Sequence, residues 1–188
     1  MTGGGGGGPI RLSGLADPAP ALTALRDIFF ESSSRTVFAS DEDRQAFFRR
    51  WTSFYLERCP EDVWFWREPP DGFAGYLTGC RDSAGADRLF AEVPGYAVFA
   101  GCFADFPGHF HVNCRAGRRG QGLGARLVGT FVEDCRGAGL AGLHLVTAPE
   151  ARNVGFYRRL GFTVTLNRPF ANRSLLFMGR SLKPETRE

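Results

Sequence analysis

Arg118-Arg119-Gly120-Gln121-Gly122-Leu123-Gly124 most restricts what this chain can build, because it joins an alternating run to an amphipathic helix. Three glycines at every second residue strip side chains from the backbone just where the helix begins. The first turn of a helix carries amide groups with no partner, and its dipole adds about half a positive charge there. Glycine lets an anion approach those amides, and Arg118, Arg119 and Arg126 add full charges nearby. The stretch reads as a diphosphate site.

The surrounding order narrows the choice. Upstream, His109-Phe110-His111-Val112-Asn113-Cys114 alternates polar and apolar residues, as a half-buried strand does. Downstream, Leu123, Leu127, Val128, Phe131, Val132 and Cys135 recur at helical spacing, with Arg126, Glu133 and Asp134 off that stripe. Gly137 and Gly139 end the helix, and Leu140 to Val146 reads as the next strand. A P-loop is excluded, because it needs a Lys before Ser or Thr and the chain's only Lys is Lys183. Gly137-Ala138-Gly139-Leu140-Ala141-Gly142 matches a dinucleotide fingerprint in letters alone. It follows a helix and precedes a strand, the reverse of what pyrophosphate binding requires. It reads as a helix-to-strand turn.

The loop resembles the acetyl-CoA signature of the GNAT acetyltransferase superfamily, R/Q-x-x-G-x-G/A, as Arg119-Gly120-Gln121-Gly122-Leu123-Gly124. Asn153-Val154-Gly155-Phe156-Tyr157-Arg158-Arg159-Leu160-Gly161-Phe162 is similar to that family's second motif, with one residue fewer before the aromatic pair. The two motifs cover about residues 109–165, with one strand between them. The resemblance implies an α/β fold with a mixed, mostly antiparallel sheet flanked by helices. It also implies N-acetyl transfer from acetyl-CoA to a primary amine by direct attack. Phe106-Pro107-Gly108-His109-Phe110-His111-Val112-Asn113, with the aromatic passage before it, resembles a subgroup related to the C-terminal acetyltransferase-like domain of O-GlcNAcase. That subgroup is expected to carry Asp where this chain has Asn113. An acyl-CoA-binding module with weak or no catalysis, acting in regulation, is the alternative.

The chain has 188 residues, of which 43% are hydrophobic and 23% charged, as in an ordinary soluble globular protein. That length suits one domain over residues 10–183, between a disordered glycine-rich tail at 1–9 and a short tail at 184–188. No apolar run approaches the ~20 residues of a membrane span, and the start lacks the basic and apolar regions of a signal peptide. Five cysteines with no C-x-x-C pair fit a reducing cytoplasm. Residues 1–114 carry 10 basic and 15 acidic side chains, and residues 115–188 carry 13 and 5. A basic half holding the loop suits a polyanionic cofactor, and an acidic half suits a cationic amine. The basic residues form no aromatic-interleaved stripe, so nucleic acid is not expected as a partner. A monomer or homodimer is expected, acting on a small amine, an amino sugar or a protein lysine.

Elsewhere the pattern predicts a short strand at Ile10–Leu12 and a helix over Pro20–Ser32. A second helix is opened by Ser40 and Asp43, with Phe47, Trp51, Phe54 and Tyr55 inward. Val63–Arg67 and Gly72–Thr78 read as strands joined by the Pro69-Pro70-Asp71-Gly72 turn. Ala86–Phe106 is expected to hold helical turns broken at Pro94-Gly95, a helical insertion before the fourth strand. Phe162–Asn167 and Ser174–Ser181 form a closing antiparallel pair.

By the resemblance, the backbone of Val112, Asn113 and Cys114 pairs with the pantetheine arm and polarises the thioester. Arg119, Gly120, Gly122, Gly124 and Ala125 meet the diphosphate, with Gln121 and Leu123 in the same loop. Asn153 holds a pantetheine amide, and Tyr157 stands beside the sulfur. A tyrosine has an ordinary pKa near ~10, suited to protonating an alkyl thiolate. His111, on one strand face with His109 and Asn113, is the candidate base, expected to titrate near ~6 to 7. His109 and His144 are alternatives, and buried packing is the competing role for each. A metal reading of His109, His111 and Cys114 fails on parity, because Cys114 faces away and two ligands are too few for zinc. Trp64 and Trp66 share one strand face, as sheet packing or as an aromatic wall to the acceptor site.

Overall fold

A computed structural model describes residues 7–70 and 72–184. Among them lie seven strands: β1 (Gly8–Arg11), β2 (Val63–Glu68), β3 (Gly72–Cys80), β4 (Gly108–Cys114), β5 (Gly142–Thr147), β6 (Val164–Phe170) and β7 (Arg173–Ser181). They form one mixed sheet in the order β1-β2-β3-β4-β5-β7-β6, mostly antiparallel, with β4 and β5 parallel. The helices flanking it are α1 (Ala19–Ser32), α2 (Asp41–Arg58), α3 (Asp87–Glu92), α4 (Leu123–Gly137) and α5 (Val154–Arg159). The expected insertion before the fourth strand is α3 followed by a 3-10 segment over Pro94–Cys102. Among the described residues, no helix is long and apolar enough to cross a membrane.

The chain divides into two compact units. The first comprises Met1–Gly79 and His111–Thr130. Its edge strand β1 pairs antiparallel with β2, from Gly8↔Arg67 to Arg11↔Trp64. This shortens the tail expected over residues 1–9, since Gly8 and Pro9 are built into the sheet. Proline has no amide to donate and is tolerated on such an edge. Residues 1–6 of that tail lie outside the described residues, as do residues 185–188 of the C-terminal one and Asp71 of the predicted turn.

Helix α1 buries Ala21, Ala24, Leu25 and Ile28. Helix α2 starts where Ser40 Oγ accepts the Asp43 amide at 3.2 Å, the predicted cap, and it buries Thr52, Phe54 and Tyr55. Phe29 and Phe30 of α1 meet Phe47 and Phe48 of α2 in tilted and edge-on pairs, with ring centroids 5.3–5.9 Å apart.

The second unit comprises Cys80–Phe110 and Phe131–Glu188. Parallel pairing joins β4 to β5 at Gly108↔Leu143 and His109↔His144. Strand β7 runs antiparallel to both β5 and β6, the closing pair that the pattern predicts. Phe99, Phe103, Leu175 and Phe177 form a buried cluster, which places the aromatic insertion in a core. The second glycine string is a turn, as read from its order. Gly139 has φ +77, and a Cβ on Gly142 would lie 2.6 Å from Asp105 O.

Candidate active site

In the first unit, the loop between β4 and α4 takes its shape from two left-handed glycines. Gly120 has φ +78 and Gly122 has φ +80, while nothing lies within 4 Å of a Cβ built on either. Backbone conformation therefore demands glycine here, and the space above the loop is open. Gly122 O accepts the Arg126 amide at 3.0 Å, opening α4. Gly120, Gln121 and Gly122 are exposed, Gly124 and Ala125 half-buried, and Leu123 is buried. Leu123 is thus a core side chain that has only its backbone to offer a ligand.

The loop's side chains are turned back onto the protein. Arg118 Nη2 donates to Glu68 at 3.0 Å, and Gln121 Nε2 donates to Gly117 O at 3.1 Å. Arg119 Nε donates to Cys114 O at 3.2 Å, while its Nη2 reaches Glu31 O at 3.4 Å and Ser32 Oγ at 3.1 Å. Arg119 brings charge to the loop while its fork braces the end of α1. The tryptophans pack against cations: the Arg126 guanidinium lies 5.5 Å from the Trp66 ring centre and that of Arg11 4.4 Å from Trp64. That is the packing role for this pair.

On β4, Val112, Asn113 and Cys114 are half-buried. Burial raises the Cys114 thiol although Arg119 acts against the shift, so it is a poor nucleophile. Asn113 Nδ2 donates to Tyr76 Oη at 2.9 Å. His111 is held edge-on by Trp51 and Tyr55, each with its ring centre 5.7 Å away. Desolvation there pushes its pKa down to about 4. His111 is consequently neutral throughout the physiological range, and the titration near ~6 to 7 expected from an unperturbed imidazole is displaced. A pocket of about 190 Å³ lies beside Asn113, lined also by Phe29, Ser32, Ser33, Ser34, Phe47 and Trp51. Sequence reasoning placed Phe47 and Trp51 inward but missed this pocket. The Ser32-Ser33-Ser34 run after α1 was its one available signal, a loop-forming cluster.

In the second unit, His109 and His144 are fully buried. Ser83 Oγ donates to Pro107 O at 2.6 Å and lies 2.7 Å from His109 Nδ1, so the imidazole must donate there. His144 Nδ1 lies 2.7 Å from Phe106 O and donates in the same way. Phe103 and Phe177 both stack against the His144 ring, and burial pushes its pKa down to about 4. This environment makes His144 a core residue rather than a base. Among the described residues, no group of three side chains suits a metal ion.

Both His111 and His144 bind protons more weakly when folded than when unfolded. Their contribution to stability is complete above ~6.5 and is lost as pH falls toward about 4. The melting temperature is therefore expected to fall on acidification through that window, and His144→Gln should reduce the slope. Calorimetric melts from pH 7 to 4 check this, and a flat profile would contradict the desolvated imidazoles.

Asn153 immediately precedes α5, and its Oδ1 accepts from Thr147 Oγ1 at 3.1 Å, leaving its amide nitrogen as a donor. Tyr157 is 6% exposed and packs on Phe110 and Phe162, with ring centres 6.1 Å away in each case. Its phenol also lies near Tyr96, whose ionisation is raised by burial first and by Tyr157 second. Tyr157 is therefore both a packing aromatic and a proton-bearing group in apolar surroundings.

Comparison with known proteins shows what this arrangement resembles. Residues 84–164 match the model of the acetyltransferase (GNAT) domain. An L-methionine sulfoximine/L-methionine sulfone acetyltransferase of Pseudomonas paraeruginosa (strain DSM 24068 / PA7) is 28% identical over 148 residues, 71% of this chain and 80% of its own. Two solved structures share the fold. SsHAT has a TM-score of 0.67 at 19% identity, covering 94% of this chain and 99% of its own. A phosphinothricin acetyltransferase from Sinorhizobium meliloti, in complex with acetyl-CoA, has a TM-score of 0.58 at 16% identity, covering 96% and 90%. The mixed sheet and the left-handed glycine loop at the start of α4 accompany the match of residues 84–164 to the acetyltransferase (GNAT) domain, and the chain is similar to acetyltransferases of that superfamily.

Proposed function

We propose that residues 10–183 act as one N-acetyltransferase domain that moves the acetyl group of acetyl-CoA to the amine of a small, amino-acid-sized acceptor held in the 190 Å³ pocket. The observation that carries the reading is the pocket itself. It opens beside Asn113 on β4, the strand whose backbone serves the pantetheine arm in this family. Three aromatic walls and three serines line it, which suits a compact molecule with an apolar stem and hydrogen-bonding groups. The relative's substrates, methionine sulfoximine and methionine sulfone, have that character. The finer likeness to the O-GlcNAcase-related subgroup rests on the Phe99–Asn113 passage alone, and this relative favours a small amino-acid acceptor instead.

The chemistry follows from named groups. The open amides at the start of α4 hold the diphosphate, and the β4 backbone polarises the thioester carbonyl. The amine attacks the acetyl carbon and the C–S bond breaks. Tyr157 gives its proton to the departing thiolate and regains one from the nitrogen that has become an amide. His111, neutral and desolvated, relays this single nitrogen proton directly or through water and retains none.

An acceptor screen monitored by free-thiol release tests the reading, with L-methionine sulfone, L-methionine sulfoximine, glucosamine and a lysine peptide as acceptors. Turnover of the two methionine derivatives is expected. Turnover restricted to glucosamine or the peptide overturns the acceptor class, and acetyl-CoA binding without any turnover favours the non-catalytic module. Asn113→Ala is expected to raise the acceptor KM about tenfold while acetyl-CoA affinity holds, the scale of one lost hydrogen bond. Steady-state kinetics with each substrate varied would show it.

A further inference from the structure

The last turn of α1 is tied to the phosphate loop in a way that simple packing does not require. The Glu31 carboxylate receives Arg115 Nη1 at 3.1 Å on one oxygen and the Ala116 amide at 3.2 Å on the other. Arg119 closes the same junction from the loop, reaching Glu31 O at 3.4 Å and Ser32 Oγ at 3.1 Å. Ser32, Ser33 and Ser34 follow at once and line the pocket beside Asn113. One carboxylate therefore stands between the loop that receives the coenzyme and the wall that receives the acceptor.

We propose that Glu31 is a positioning residue that couples the two binding events: a coenzyme diphosphate seated in the loop fixes the pocket wall through Glu31. The coupling rests on the acceptor reading given above, and Glu31 itself touches neither reacting atom. The physical reason is ordering. Gly117, Gly120 and Gly122 leave the loop many conformations, and a diphosphate gripped by its amides narrows them. The contacts from Arg115, Ala116 and Arg119 pass that narrowing to Glu31 and Ser32. An acceptor entering afterwards meets a wall already ordered and binds more tightly, and linkage requires the reciprocal effect on the coenzyme.

The test uses the full chain, CoA and L-methionine sulfone. Calorimetry on the wild type is expected to show CoA tightening the sulfone by about fivefold or more. In Glu31→Ala that ratio should fall to about one, while CoA affinity measured alone changes by no more than about twofold. Glu31→Gln keeps an oxygen for the Ala116 amide but loses the charge pair with Arg115, so it should recover part of the ratio. A merely destabilising change would weaken both ligands and leave the ratio intact.

Hydrogen exchange at residues 32–34 gives a second readout that needs no acceptor. CoA should slow exchange there in the wild type and fail to do so in Glu31→Ala. Equal slowing in both proteins, or an unchanged calorimetric ratio, overturns the coupling. A wild type that fails to bind the sulfone but loses the exchange effect in Glu31→Ala overturns only the acceptor class and leaves the role of Glu31 standing.

Discussion

Tyr157→Phe should lower kcat by about 10² to 10⁴, the usual worth of a general acid, while acetyl-CoA affinity and folding survive. The substitution removes one oxygen and keeps the ring on Phe110 and Phe162. Packing loss is therefore small, and a fall in turnover reports the missing proton. The expected signature is kcat and kcat/KM falling together, since the proton transfer belongs to the transition state. Replacing acetyl-CoA with an acetyl thioester of a more acidic thiol should restore part of the rate, because a better leaving group needs less help. A variant with wild-type turnover would leave Tyr157 as a packing residue alone.

Gly122→Val should abolish measurable acetyl-CoA binding, a loss of about 10²-fold or more. Two costs coincide there. At φ +80 a β-branched residue is strained by about 1–2 kcal/mol or more, so the loop abandons its present shape. The new side chain also occupies the open space above the amides, where nothing of the protein now lies within 4 Å. Because that space is empty, the folded state has no clash to suffer beyond the backbone strain. Gly122→Ala keeps most of the strain with little bulk and should bind more weakly than wild type but better than the valine variant. Calorimetry with acetyl-CoA on variants whose melts remain cooperative decides it. Unchanged affinity would remove the loop from the coenzyme site.

The alternating strand, the glycine loop, the stripe from Leu123 to Cys135 and the order of the elements were all legible in the chain. Each is written in local periodicity or in backbone demands that neighbours along the sequence impose. The same logic identified the Ser40 cap and rejected Gly137–Gly142 as a phosphate loop, because element order alone decides where helix amides point. Gly8 and Pro9 depart from the expected tail for a related reason. A glycine-rich start looks unstructured until a neighbouring strand, here β2, supplies hydrogen bonds for its backbone.

The histidines mark the boundary of what residue type can tell. His109, His111 and His144 carry the same ring and the same intrinsic pKa, and the sequence could say only that two share a strand face. Tertiary structure separates them: Ser83 fixes one, Trp51 and Tyr55 desolvate the second, and Phe103 and Phe177 enclose the third. Desolvation depends on what surrounds a group in space, and those neighbours lie tens of residues away along the chain. The pocket beside Asn113 and the Glu31 junction are of the same kind, made from α1, α2 and β4 where they converge. By itself the sequence determined the glycine loop and the family of folds that can present it, because helix ends and left-handed glycines are local physics. Only the tertiary structure decided which polar groups keep their chemistry, because burial and hydrogen-bond partners exist only after the chain has packed.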